Sequence, residues 1–214
     1  MNAANSPYSA ESLADVPEGD LVRRLLADSH WRSRILQIHG IPRDACYFPE
    51  VLHTDLGQKG DIDILVLNPT KPEFATAIQV KRVKVSASAF HTEMPNGLKA
   101  VRELHRQASV LVELGFWQVF SYVFVVVDSR ERNQGAYAFD GLSKELRELI
   151  GNAISPSGLD ERAGFIEFEI TQPIDDVPLG VGTFFGRIHR MPTVQAQPLH
   201  ITDWVCCVTA KRNL

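Results

Sequence analysis

The sequence predicts an α/β domain: a mixed sheet flanked by helices in the order α, β, β, β, α, β, with additional C-terminal strands. Three observations carry this expectation. Apolar residues recur at helical spacing on both sides of a group of short extended stretches. Turn residues separate those stretches. A β-branched and aromatic run, VFSYVFVVVD at 119–128, has the length and composition of a buried strand. The chain has 214 residues, 44% apolar and 22% charged, which is enough to bury one core and matches ordinary globular usage.

Residues 1–17 are rich in Ser, Ala, Asn and Pro without periodicity and are expected to form a flexible arm. Residues 18–155 form the expected core, and 156–214 a β-rich extension of the same domain. From Asp20, the positions of Leu21, Leu25, Leu26, Ile35 and Ile38 predict an amphipathic helix broken near His30 and ended before Gly40. Extended stretches follow at 45–53, 61–67 and 75–83, divided by TDLGQKG and NPTKPEF. Leu98, Val101, Leu104, Ala108, Leu111 and Val112 then repeat at helical spacing over 97–114, with Gly115 at the position of a C-terminal glycine. The strand at 119–128 and a helix at 141–150 come next. After Pro156, strand-like pieces at 165–171, 181–188 and 201–209 either extend the sheet or form a small lobe.

Composition excludes several function classes. Lys plus Arg is 22 against 26 for Asp plus Glu, a net charge of −4, so any polyanion site must be local. Three cysteines, Cys46, Cys206 and Cys207, are too few for a disulfide framework and point to a reducing cytoplasm. Neither a signal peptide nor a membrane span is expected. CxxC, HxH and HExxH are absent, as are GxGxxG, GxxxxGK[ST] and GxSxG, which removes zinc, dinucleotide, P-loop and hydrolase-elbow chemistry.

The informative stretch is GDIDILVLNPTKPEFATAIQVKR, residues 60–82. Strand alternation puts Asp61, Asp63, Leu65 and Leu67 on one face and Ile62, Ile64 and Val66 on the other; Gln79 and Lys81 likewise share a face. A hairpin symmetric about Lys71 sets Asp63 opposite Gln79 and Asp61 opposite Lys81, gathering two acids, an amide and an ammonium into one patch. Mg²⁺ takes oxygen ligands and commonly one or two carboxylates, which Asp63 and Asp61 can supply. Gln79 offers a side-chain carbonyl, the carbonyl of Val80 another oxygen, and Lys81 a charge that orients water or offsets developing negative charge. The bland alternative is a solvated strand edge whose acids block aggregation.

Asp63 followed, after a hairpin, by Gln79-Val80-Lys81 within an α, β, β, β, α, β order resembles the PD-(D/E)xK nuclease superfamily, the restriction-endonuclease-like fold. The resemblance covers about residues 20–128, and Gln79 in place of an acid is similar to the QxK form of Mrr-like enzymes. It implies that Asp63 is the essential metal ligand, that Gln79 takes the second acid's place and that Lys81 is the catalytic lysine, with Mg²⁺ or Mn²⁺ as cofactor. Members of the family often carry a further upstream Glu. Glu50 in YFPEVL is the first candidate, and Glu18 or Glu11 the alternative.

Between Gln79 and Arg106 the bases Lys81, Arg82, Lys84, Lys99, Arg102 and Arg106 outnumber the acids Glu93 and Glu103, so a phosphate backbone can follow this stretch. Lys99, Arg102 and Arg106 share one helix stripe, with His105 and Gln107 beside it; a solvated helix face is the plain alternative. The segment 91–96 is expected to be a connection or a substrate-contacting loop. The resemblance therefore implies a metal-dependent nuclease, with DNA the expected substrate, in bacterial defence, restriction or repair. A homodimer or a partner protein is the expected assembly. The other expectation is a catalytically weak or inactive nuclease-fold subunit that binds nucleic acid or a partner protein.

Overall fold

In the computed structural model, residues 13, 15–37, 41, 45–86, 98–128, 144–153, 158–172 and 183–212 are described. Glu11, the 91–96 segment and the side chain of Lys99 lie outside them. The helices are α1 (Glu18–Ala27), α2 (Ser29–Gln37), α3 (Leu98–Leu114), α4 (Lys144–Ala153) and α5 (Leu199–Lys211). The strands are β1 (Cys46–Leu52), β2 (Asp61–Asn68), β3 (Lys71–Ser86), β4 (Gln118–Asp128), β5 (Gly164–Gln172) and β6 (Thr183–Arg190). The fold is α/β, a six-stranded mixed sheet in the order β1-β2-β3-β4-β5-β6 with helices on both faces.

The expected break in the first helix falls at Asp28. Its carboxylate accepts the N–H groups of His30 (2.8 Å) and Trp31 (3.1 Å), so one residue ends α1 and caps α2. Leu21, Val22, Leu25 and Leu26 of α1 and Trp31, Ile35 and Leu36 of α2 are buried with Ile64, Val66, Ile78 and Val80, which puts both helices on one face of the sheet. The other face packs Leu65, Leu67, Ala75, Ala77, Val83 and Val85 against α3 and α5. Gly115 ends α3 at φ 95, and a Cβ there would stand 2.6 Å from Pro198, so the position has two reasons to be glycine.

β1–β2 and β2–β3 are antiparallel, while β3–β4 and β4–β5 are parallel and joined through α3 and α4. The β2–β3 turn is not centred on Lys71. It is a two-residue turn at Pro69–Thr70, closed by Asn68↔Lys71, in which Asn68 Oδ1 accepts the Thr70 N–H (3.0 Å). An irregularity between Val66 and Asn68 absorbs the surplus residues of β3, and the register then runs Leu65↔Ala77 and Ile64↔Ile78, as symmetry about Lys71 requires.

β5 and β6 extend the same sheet, but residues 201–209, expected as a strand, belong to α5. Their Ile, Val and Thr content favours a strand, yet Ile201, Trp204 and Val205 are buried at i, i+3 and i+4, the spacing of a helix face. Gln197 ties the approach to α5 onto the sheet. Its Oε1 accepts the N–H groups of Ala75 (3.2 Å) and Trp117 (3.3 Å), and its Nε2 donates to Pro72 O (2.9 Å) and Thr202 Oγ1 (3.0 Å). Two buried acids of β5 are paired. Glu169 binds Arg147 of α4 through two bonds (2.8 and 3.1 Å), and Glu167 meets His189 at 2.9 Å.

Candidate active site

The β2–β3 ladder ends at Ile64↔Ile78, although β3 continues to Ser86. Backbone N–H groups beyond that point need other acceptors, since a buried donor left unpaired is costly. Two carboxylates take the place of strand carbonyls. Asp63 Oδ2 accepts the N–H of Val80 (2.7 Å), and Glu18 Oε2 accepts the N–H of Arg82 (2.6 Å). The ladder thus opens at the residues singled out in the sequence, and the opening is lined by acids.

The neighbouring strand has a matching irregularity. Glu50 stands at φ 49, and Phe48 and Val51 on either side of it pack into the same cluster as Ile62, Leu65 and Leu67. Alternation therefore resets at Glu50 and at Asp63. The expectation that Ile62 faces away from Leu65 and Leu67 fails for this reason, and Asp63 leaves the regular pleat to turn into the gap.

Lys81 and Gln79 complete the group. Lys81 Nζ donates to Glu18 Oε1 (2.6 Å), both side chains being 29% exposed. Gln79 is 3% exposed, and its Nε2 donates to the backbone carbonyl of Asp61 (2.6 Å). That bond commits the amide nitrogen and leaves Oε1 as the atom Gln79 offers. Glu50 has a different partner: its carboxylate pairs with Arg23, and its carbonyl accepts from Arg212 (3.4 Å). The upstream acid that meets Lys81 is Glu18, in the first turn of α1. Glu50 lies against the next residue, since a Cβ at Gly19 would collide with its Oε1.

The electrostatics single out Asp63. Its carboxyl is raised from 3.8 to about 7, chiefly because burial penalises the anion. The Val80 N–H works against that rise, Asp61 and Glu18 add to it by repulsion, and Lys81 opposes it. A nearby cation would offset the cost of ionising an acid held this way.

The bases predicted for phosphate contact divide into groups. Lys84 pairs with Asp15 (3.2 Å), and the guanidinium of Arg82 donates to the carbonyl of Val16, so the segment before α1 lies along these two bases. Arg106 pairs with Glu103 on the same helix, and Arg102 is exposed. His105 is buried against Phe165, with ring centroids 5.4 Å apart, whereas Gln107 lines a cavity next to Gln79. His53 and Lys59 line the same cavity and were not foreseen. They precede the strand that carries Asp63, and no spacing rule links them to α3. No family model matches the chain, and no curated protein matches it. No helix among the described residues is long and apolar enough to cross a membrane.

Proposed function

We propose that this chain is a metal-dependent nuclease of the restriction-endonuclease-like kind, acting on DNA in the cytoplasm in a defence, restriction or repair role. The observation that carries the reading is the opening of the β2–β3 ladder at Asp63, where Asp63 takes the Val80 N–H, Glu18 takes the Arg82 N–H and the Lys81 ammonium, and Gln79 is bonded to the Asp61 carbonyl alongside. A solvated edge would not hold an acid against backbone N–H groups or raise its pKa to about 7.

The donor set fits a hard divalent cation. Asp63 and Glu18 are carboxylates, Gln79 offers its amide oxygen, and the Val80 carbonyl adds another oxygen, the ligand type Mg²⁺ and Mn²⁺ prefer. The chemistry such an ion supplies is Lewis-acid activation of water and neutralisation of charge on the phosphoryl group. Asp63 holds a proton at low pH and releases it near neutrality, when its carboxylate is needed as a ligand. Glu18 holds the Lys81 ammonium in place, and Lys81 orients the attacking water and offsets negative charge on the phosphate oxygens. Gln79 is fixed by Asp61 and positions its oxygen without adding charge.

The alternative, a catalytically weak nuclease-fold subunit, is favoured by one observation. Among the described residues no three His, Cys, Asp or Glu side chains group so as to hold a metal ion. Cleavage of mixed DNA and RNA substrates with Mg²⁺ or Mn²⁺, beside EDTA and the Lys81→Ala protein, separates the two. Metal-dependent cutting lost in Lys81→Ala supports the enzyme. Binding without cutting by the wild type supports the subunit.

A further inference from the structure

We propose that the cavity beside Gln79 and Asp61 binds a phosphate of the substrate strand, one nucleotide away from the bond that is cut. The inference rests on the nuclease reading of the adjoining gap. The cavity, about 350 Å³, is lined by His53, Lys59, Asp61, Gln79, Arg106 and Gln107, from the β1–β2 connection on one side and α3 on the other. Gln79 is bonded to Asp61 and lies two residues from Lys81 in the regular part of β3, so the two sites adjoin. Residues two apart in a strand are about 6.6 Å apart, a separation suited to neighbouring groups on one polymer chain.

The lining selects an anion with several acceptor oxygens. Lys59 and Arg106 are cations and Asp61 is the single acid, in a chain whose net charge is −4. Glu103 accepts from Arg106 Nε (3.0 and 3.2 Å) and so orients the guanidinium, a group with five N–H donors. His53 is 3% exposed, and its Nδ1 has no hydrogen-bond partner among the described residues. Buried polar atoms are normally paired, and a small turn of the His53 ring towards a ligand in this cavity would give Nδ1 a partner. Gly60, at φ 130, keeps the wall open: a Cβ there would stand 3.3 Å from His53 Nε2. The scarcity of acids argues against a second cation, and the polar walls argue against an apolar ligand.

The test is fluorescence anisotropy of a labelled single-stranded DNA 12-mer in EDTA, with the full chain, over a range of salt concentrations. Each lost phosphate contact should lower the salt slope of binding by about 0.7. Lys59→Ala and Arg106→Ala are each expected to weaken binding roughly tenfold at low salt and to lower the slope by that amount, and the double variant by about twice as much. Lys144→Ala, on the exposed face of α4, changes neither quantity. Because His53→Ala endangers packing, His53 is followed in the wild type by the ¹⁵N shift of Nδ1, which should move as the 12-mer is added. Unchanged slopes in both cavity variants, with wild-type protein that binds and cuts, overturn this site and leave the nuclease reading standing. A wild type that neither binds the 12-mer nor cuts with Mg²⁺ or Mn²⁺ overturns both.

Discussion

Replacing Asp63 by asparagine removes a charge that the fold holds at a cost, and the effect should depend on pH in a defined direction. The carboxyl goes from 3.8 in the unfolded chain to about 7 in the folded one. Between those values the folded state keeps a proton that the unfolded state has lost, so wild-type stability falls as pH rises through this window. At about 1.4 kcal/mol per pH unit the full change is at most about 4 kcal/mol, and about 3 kcal/mol of it lies between pH 5 and pH 8. The amide introduced by Asp63→Asn keeps an oxygen for the Val80 N–H and has nothing to titrate. The stability of Asp63→Asn relative to wild type should therefore improve by about 3 kcal/mol from pH 5 to pH 8, or very roughly 6–12 °C in Tm for a domain of this size. Urea and thermal melts in EDTA at pH 5, 6, 7 and 8 measure it. Mn²⁺ should then stabilise the wild type at pH 8 and leave the variant unchanged, because the metal competes with the proton. Parallel stability curves for the two proteins would refute the claim that Asp63 is a desolvated acid.

Lys81→Met should lower cleavage by about 10²–10³-fold while costing less than about 2 kcal/mol of stability, since Glu18 keeps the Arg82 N–H; cleavage rates beside urea melts decide it, and near-wild-type cutting contradicts the assigned role. Gln79→Glu sets carboxylate oxygens against the Asp61 carbonyl, so it should lose about 1–3 kcal/mol in EDTA at pH 8 and recover on adding Mn²⁺, with cutting retained or raised. Equal stability in EDTA, or no recovery with Mn²⁺, counts against Gln79 as a ligand position. Gln197→Ala strips two backbone N–H groups of their acceptor and should cost about 2–4 kcal/mol by urea unfolding; a loss under about 0.5 kcal/mol would show that the approach to α5 is not held there. Arg147→Met removes the bidentate partner of the buried Glu169 and should cost about 3–5 kcal/mol by urea unfolding.

Where periodicity or a turn residue carried the information, the sequence was legible. Leu98 to Leu114 and the run at 119–128 announced α3 and β4. From Ile64↔Ile78 towards the turn the hairpin register is the expected one although the turn is displaced to Pro69–Thr70, but the expected pairs beyond it, Asp63 with Gln79 and Asp61 with Lys81, do not form because the ladder ends there. Irregular backbone was the part that stayed hidden. The resets at Glu50 and Asp63 break the alternation on which the facing of Asp61 and Ile62 was argued, and a single positive φ at a glutamate has no sequence signature. Glu18 ranked below Glu50 because only packing brings the start of α1 onto Lys81; Pro17 before an acidic first turn marked the helix start and not its partner. In α5, β-branched content outweighed the helical spacing of Ile201, Trp204, Val205 and Val208.

The most direct test of the central claim follows Mn²⁺ binding and cleavage in the same samples of wild type, Asp63→Asn and Lys81→Met at pH 8, using electron paramagnetic resonance and a labelled DNA substrate. Wild type should bind and cut, Asp63→Asn should do neither, and Lys81→Met should bind Mn²⁺ without cutting. Mn²⁺ binding and cleavage that survive unchanged in Asp63→Asn would contradict a metal site at Asp63.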